Sequence, residues 1–433
     1  MKSIWNETEK REFDSLQGDV KTDVLIIGGG MCGILCAHML QKAGVNCIVA
    51  EADRICAGVT NGTTAKITFQ HGLIFHKIIK KYGLEAARLY YESQKKACKL
   101  LTELASAVDN DFDVCNSIVY FINNRDVIEK ELEALCKIGC SAQFCQKTEL
   151  PFTVAGAIKI ENQATFHPLK FAYDVAKNLK IFEKTKILEL RPHVALTNNG
   201  KILAKKIIVA THFPFINKHG GYFLKMYQHR SYVLALDGIF NIKDMYVDAE
   251  DDGLSFRRYN DLLLLGGGSH RTGGQGGNWK ELQDFAKKYY PDAQEVDRWA
   301  TQDCMTLDFV PYIGQYSKTT PDLYVATGFN KWGMTSSMVS AMLLTDMICG
   351  KKSEYEEDYS PSRTIFHPQL AVNVFESIKG LLTPTVPRCP HMGCALKYNK
   401  AEHSWDCSCH GSRFEENGRL INNPATDDKA KIK

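Results

Sequence analysis

Apolar positions follow two rhythms over the first 363 residues: short continuous runs, and stretches where they recur every three or four residues. Val20–Ile27 (VKTDVLII) is a run bounded by turn residues and predicts a buried strand. Residues 31–43 follow with helical spacing, and residues 46–50 form a second run closed by Glu51. Together they predict a β-α-β unit of about thirty residues at the front of the chain. Helical spacing then covers 73–107, 127–138, 168–179 and 335–348, while strand patterns occupy 114–122, 155–160, 202–210 and 322–327. Residues 222–270 alternate as strands do, ending on the run 262–265 and Gly266, Gly267 and Gly268. A polar stretch with Pro361 at 353–363 reads as a domain exit, and 364–388 as a connecting segment, partly helical at 364–380. A separate small unit closes the chain.

Composition narrows the class. Of the 433 residues, 44% are hydrophobic and 24% charged, which excludes a disordered chain, a collagen and a coiled-coil rod. Lys and Arg number 53 against 50 Asp and Glu, with no long run of one sign, so nothing argues for nucleic-acid or anionic-membrane partners. No apolar stretch reaches the ~18 residues of a membrane span. Residues 1–19 are polar and lack the apolar core of a secretory signal, so a cytoplasmic protein is expected. Fifteen cysteines are many; eleven are scattered from Cys32 to Cys349 and read as reduced, buried small hydrophobes. The other four fall in the last 45 residues and need their own explanation.

Gly28-Gly29-Gly30-Met31-Cys32-Gly33 fits G-x-G-x-x-G between the first strand and its helix. Gly28 allows the tight turn, Gly30 lets a pyrophosphate approach the backbone, and Gly33 lets helix and strand pack closely. The helix start at Met31 offers free N–H groups and a positive dipole end to phosphates. Glu51, at the end of the second strand, is placed to accept both ribose hydroxyls. The bland alternative is a tight structural turn. The position at the front of the chain favours FAD over NAD.

On these residues the chain resembles the D-amino-acid oxidase/glycine oxidase superfamily of FAD-dependent oxidoreductases. The resemblance extends from Val20 to about Arg363. Gly58–Ala65 (GVTNGTTA) is similar to that family's small-residue loop over the pyrophosphate and flavin, which implies cofactor contacts from Thr63, Thr64 and Ala65. Gln163–Pro168 is similar to its re-entry into the FAD domain, and the strand at 186–188 implies an Ile187 amide near adenine. Ala210-Thr211 is similar to the strand end that closes on the cofactor. Asp308–Gly314 and then Ala326–Met334 (ATGFNKWGM) are the most specific match. They imply a glycine turn at Gly328 and a helix start at Lys331, Trp332, Gly333 and Met334 beside the flavin pyrimidine ring, where the dipole stabilises negative charge.

The resemblance implies oxidation of the C–N bond of an amino acid or amine by hydride transfer to flavin. A carboxylate-bearing substrate calls for a guanidinium. Candidates are Arg230, Arg257, Arg258 and Arg271, with His270 and Tyr259 as polar partners; the preferred pair is His270 and Arg271, after the flexible glycine run. Any of them could instead be structural. Lys331 is a candidate flavin neighbour.

The last segment carries Cys389-x-His391 and Cys407-x-x-His410, separated by fifteen residues. This pattern resembles Rieske proteins, in which two thiolates and two imidazoles hold a [2Fe–2S] cluster. The resemblance implies metal ligation by Cys389, His391, Cys407 and His410, and a disulfide between Cys394 and Cys409 clamping the two loops. It also implies a Ser412 hydroxyl on a cluster sulfur and a covering loop at Asn423-Pro424-Ala425. Phe414 stands where high-potential relatives have tyrosine, which implies one hydrogen bond fewer and a lower potential. Tetrahedral zinc is the alternative, although C-x-H spacing suits it poorly. Few residues precede the first ligand, so the unit is expected to be truncated and to depend on docking.

The expected architecture is α/β. It comprises a Rossmann-like FAD-binding domain (20–80, 150–215 and 300–363), an interleaved α+β substrate domain (81–149 and 216–299), a linker (364–385) and a small β-rich Rieske-type unit (386–433). A two-electron acceptor joined to a one-electron centre suggests an amine or amino-acid dehydrogenase that passes electrons to an acceptor protein or quinone. Two other readings stay open: a non-enzymatic electron carrier or redox sensor, and an oxidase with a structural C-terminal clamp.

Overall fold

The computed structural model describes residues 3–217, 219–250, 252–274, 276, 278–385 and 387–426. Val24, Leu25, Ile26 and Ile27 are all buried, so the first strand is covered on both faces and its sequence is a continuous apolar run. It lies inside a mainly parallel sheet in the order Tyr312–Gln315, Leu323–Thr327, Gly200–Val209, Val20–Ile27, Cys47–Ala50, Ile181–Phe182. The helices Met31–Lys42 and Gly333–Ile348 pack against each other. Each follows a parallel strand, so both N-termini open at the carboxyl edge of the sheet, where ligands of such folds bind.

The second sheet runs in the order Gln294–Thr306, Met226–Asp237, Leu262–Arg271, Ser255–Tyr259, Met245–Asp248, Asp113–Phe121, Gly156–Thr165, Lys66–Ile67. Residues 66–67, 156–165 and 300–306, expected in the FAD-binding domain, therefore belong to the other sheet. Periodicity marks where a strand is, but partners far along the chain decide its sheet: Lys66 pairs with Thr165. The helical stretch at 73–107 is two helices, Phe75–Tyr82 and Leu84–Ser106, broken at Gly83 where φ is 92°.

In the connecting segment, Pro368–Leu382 is a helix capped by the His367 ring, which accepts from the Gln369 N–H at 3.2 Å. A Cβ on Gly380 would lie 2.5 Å from the Cys409 sulfur, so glycine lets this helix rest on the C-terminal loops. The C-terminal unit is a four-stranded sheet with a small core around Cys389, Leu396, Cys407 and Phe414. Buried polar contacts with the second sheet supplement that core. Glu402 accepts from Arg230 Nε at 2.7 Å and from Arg413 Nη2 at 2.9 Å, and Arg413 Nε donates to Asp406 at 2.9 Å. Gln228 donates to the His410 carbonyl at 2.7 Å, and Gln302 to the Gly411 carbonyl at 2.8 Å. Among the described residues no helix is long and apolar enough to cross a membrane.

Candidate functional site

A cavity of about 640 Å³ opens at the carboxyl edge of the first sheet and runs onto the second. Its floor is the glycine turn. A Cβ on Gly28 would meet the Ala210 carbonyl at 2.6 Å, and one on Gly33 the Gly28 carbonyl at 1.9 Å. At Gly30 the nearest atom would be 3.5 Å away, leaving the side of the turn that faces the cavity open. Backbone contacts thus demand glycine at Gly28 and Gly33, while Gly30 leaves the turn open toward the cavity. The Met31 N–H donates to the Thr60 hydroxyl at 3.1 Å, tying the small-residue loop to the helix start.

Glu51 lines the cavity with its carboxylate fixed by the Gly29 N–H at 2.6 Å and the Asp53 N–H at 2.9 Å. Burial raises its pKa, and those backbone hydrogen bonds oppose the rise. Thr63, Thr64, Ile187 and Thr211 also face the cavity. At its other end lie Lys331, Trp332, Gly333 and Met334, and Trp332 stacks on His71 with ring centroids 4.9 Å apart. Ala65 and Gly328 sit behind the lining in left-handed backbone, φ 50° and 71°. A Cβ on Gly328 would press 2.3 Å from the Thr306 methyl. A long glycine-floored cradle with a carboxylate at its first bend and a helix N-terminus at its far end fits an extended dinucleotide.

The second site is built from the two C-terminal loops. Cys389, Cys407 and His410 are buried and His391 is half-buried. Nδ1 of His391 and both ring nitrogens of His410 are buried without a hydrogen-bond partner, as metal-ligating atoms would be. The rings lie 4.9 Å apart. Burial, reinforced by the neighbouring His410, pushes His391 down to about 4, and burial lowers His410, so both imidazoles are neutral donors. Hydrogen bonds from Cys389, Cys394 and Cys409 hold the Cys407 thiol well below its usual range. The Ser412 hydroxyl hydrogen-bonds the Cys389 sulfur, and Phe414 is fully buried with no hydroxyl to offer. His391 Nε2 lies 3.0 Å from Asn217 Oδ1. The donor set therefore fits a mixed thiolate–imidazole cluster. Cys394 and Cys409 lie one on each loop, their sulfurs within 4.8 Å of each other and of Cys407. The loops thus bring the pair expected to form the clamp side by side.

The family model for DAO, FAD dependent oxidoreductase, matches residues 23–347. The chain belongs to the DAO family. A Rieske [2Fe-2S] domain matches residues 346–433, so this DAO protein carries FAD and a [2Fe–2S] cluster. It is 32% identical over 481 aligned positions to the Bacillus subtilis (strain 168) protein YhfW, which bears the name of a Rieske 2Fe-2S iron-sulfur protein; the match covers 96% of this chain and 94% of that one. It is 22% identical to gamma-glutamylputrescine oxidoreductase of Escherichia coli (strain K12), covering 79% and 87% of the two chains. Its fold resembles glycine oxidase from Geobacillus kaustophilus with a TM-score of 0.67 at 19% identity, over 79% of this chain and 99% of that one.

The expected substrate arginines of the DAO domain lie elsewhere. Arg230 is engaged by Glu402 of the Rieske domain. Arg271 donates to the Ser408 carbonyl at 3.0 Å, the Cys409 carbonyl at 3.2 Å and Asn373 at 2.9 Å. Arg257 is buried, donating to the Thr64 and Phe166 carbonyls, and Arg258 binds the Asn260 carbonyl. Tyr259 donates to Asp111 at 2.8 Å and packs on Trp5; the His270 ring bonds the Gly268 carbonyl at 3.1 Å. None of these six side chains is among the residues that line the cavity. Among the described residues the polar wall beside Lys331 consists of Ser231, Ser269, Thr301 and Asp303 instead. The one available signal for the last two was the run TQD, in a strand of mixed polarity.

Gly33→Ala is expected to weaken FAD retention at least about tenfold, because a methyl cannot coexist with the Gly28 carbonyl and the helix must shift. FAD content after gel filtration, with a fluorescence titration, checks this.

Proposed function

We propose that this DAO protein is an amine or amino-acid dehydrogenase whose electrons leave through its Rieske domain. One observation carries the reading: residues 420–423, 425 and 426 of the Rieske domain line the same cavity as the FAD cradle. When bound, FAD takes two electrons from a C–N bond and the [2Fe–2S] cluster passes electrons singly to an acceptor protein or quinone. The chain's own part is positional. Gly28, Gly30 and Gly33 shape the phosphate turn, Glu51 holds the ribose, and Cys389, His391, Cys407 and His410 ligate the cluster. Asn423 donates to the Thr211 carbonyl at 2.7 Å, pinning the cluster-covering loop to the strand end that closes on the cofactor. The Trp332–His71 stack and the apolar stretch of Met334 exclude water at the flavin end.

The substrate class is supported by the relatives' names: gamma-glutamylputrescine, glycine and, for a Pyrococcus horikoshii protein of the same fold, L-proline. The non-enzymatic carrier is disfavoured by the cationic and polar wall of Lys331, Ser269 and Asp303. A cytoplasmic location is part of the same proposal. Anaerobic stopped-flow mixing with a substrate tests the relay: flavin bleaching followed by cluster reduction is expected, and bleaching with the cluster left oxidised would defeat it.

A further inference from the structure

The polar wall of the cavity has an internal order. Thr301 and Asp303 are two residues apart on one strand and so share a face. Ser231 pairs in register with Thr301. Its hydroxyl lies 2.7 Å from that of Ser269, which receives Lys331 Nζ at 2.6 Å. The row therefore runs from a cation through hydroxyls to a carboxylate. Two of its groups are open to a ligand. The Thr301 hydroxyl is buried with no partner, and the half-buried Asp303 carboxylate lines the cavity within the field of Lys331 and Arg230. A carboxylate on a cavity wall, in a row that begins with a lysine, suits the cationic end of a ligand that carries both charges. Burial pushes the Asp303 carboxyl up to about 6, opposed by the charges of Lys331 and Arg230, so it is mainly ionised at neutral pH. Every arginine that could have clamped a carboxylate is engaged elsewhere, and Arg54, at the Glu51 end, is the sole arginine of the lining among the described residues.

Building on the dehydrogenase reading, we propose that Asp303 and Lys331 form a two-point clamp for a zwitterionic amino acid. Asp303 receives the substrate ammonium, and Lys331, held by Ser269, receives the carboxylate. Thr301 supplies the remaining hydrogen bond to the substrate nitrogen. Recognition is thus by a lysine–aspartate pair, and a simple diamine meets Lys331 as a like charge.

The test is ligand binding to the oxidised, FAD-loaded full-length protein under anaerobic conditions, read as perturbation of the flavin absorbance. It uses glycine and L-proline, each with its decarboxylated amine (methylamine, pyrrolidine) and its deaminated acid (acetate, tetrahydrofuran-2-carboxylate). In the unmodified protein at least one amino acid is expected to bind about tenfold more tightly than its amine and its acid. Asp303→Asn is expected to weaken the amino acid and the amine about tenfold and leave the acid unchanged. Lys331→Met is expected to weaken the amino acid and the acid and leave the amine unchanged. The clamp is overturned if no amino acid perturbs the flavin, if an amine binds as tightly as its amino acid, or if the two substitutions weaken all three ligands alike. This readout needs no turnover, so a failed relay to the cluster leaves it intact, and the reverse also holds.

Discussion

Substituting Glu402 with glutamine is expected to destabilise the folded protein by about 3–5 kcal/mol, the cost of removing one member of a buried ion pair. The Glu402 carboxylate accepts from two guanidiniums, and its side chain is 8% exposed against 2% for Arg230 and 3% for Arg413. Without its charge the two arginines face each other in a dry interface, with only Asp406 left beside Arg413. Arg230 belongs to the DAO sheet and Glu402 to the Rieske domain, so the loss falls on docking. Urea unfolding of the holoprotein is expected to show the Rieske domain melting first in Glu402→Gln, and one shared transition in the parent. A matching pH effect follows. Burial alone would raise the Glu402 pKa, but the Arg230 charge and its hydrogen bonds, with help from Arg413, bring it down to about 2. A depressed acid stabilises the fold above its unfolded pKa of ~4.3 and loses that contribution as pH falls toward 2. Asp308 beside Arg363 behaves the same way, also at about 2. Stability is therefore expected to drop between about pH 4.5 and 2, and Glu402→Gln to flatten the slope; an unchanged slope in the variant would contradict the assignment.

Cys407→Ser is expected to abolish the cluster while sparing the flavin. Cys407 is 1% exposed, sits between the two loops, and is held toward the thiolate by its three sulfur neighbours. A serine there offers a harder and less acidic donor. Iron and acid-labile sulfide are expected to fall below a tenth of the parent content, and the cluster absorbance to vanish with the FAD bands retained. Cys136→Ser, at an exposed free cysteine, is the control and is expected to change neither. Zinc in place of iron in the parent protein would overturn the cluster assignment. Because the Rieske core is small, loss of the metal is also expected to lower its own unfolding temperature.

The sequence made the local parts legible. The turn at Gly28–Gly33, the acid at Glu51, the helix after Gly328 and the paired Cys and His ligands each depend on neighbours within a few positions. What stayed hidden depends on meetings across the chain. Arg230 reads as a substrate anchor until its partner, 172 residues later, is seen beside it. Arg271 follows the glycines that suggest a ligand, yet it grips the carbonyls of the second cluster loop. Strand membership failed for the same reason: Gly156–Thr165 has a clear strand pattern, but nothing local says which sheet adopts it. Asp303 was missed because one carboxylate in a strand that also holds Glu295 and Asp297 carries no spacing signature.

Arg230 and Arg271 also bear on how such a chimera could be inherited. Both cations belong to the DAO sheet, and among the described residues their side-chain hydrogen bonds end on atoms of the Rieske match. A recombination event that exchanged one half for a distant counterpart would strand those cations in a dry seam. The two halves are thus obliged to drift together, and a join near residue 363 does not yield two separable building blocks.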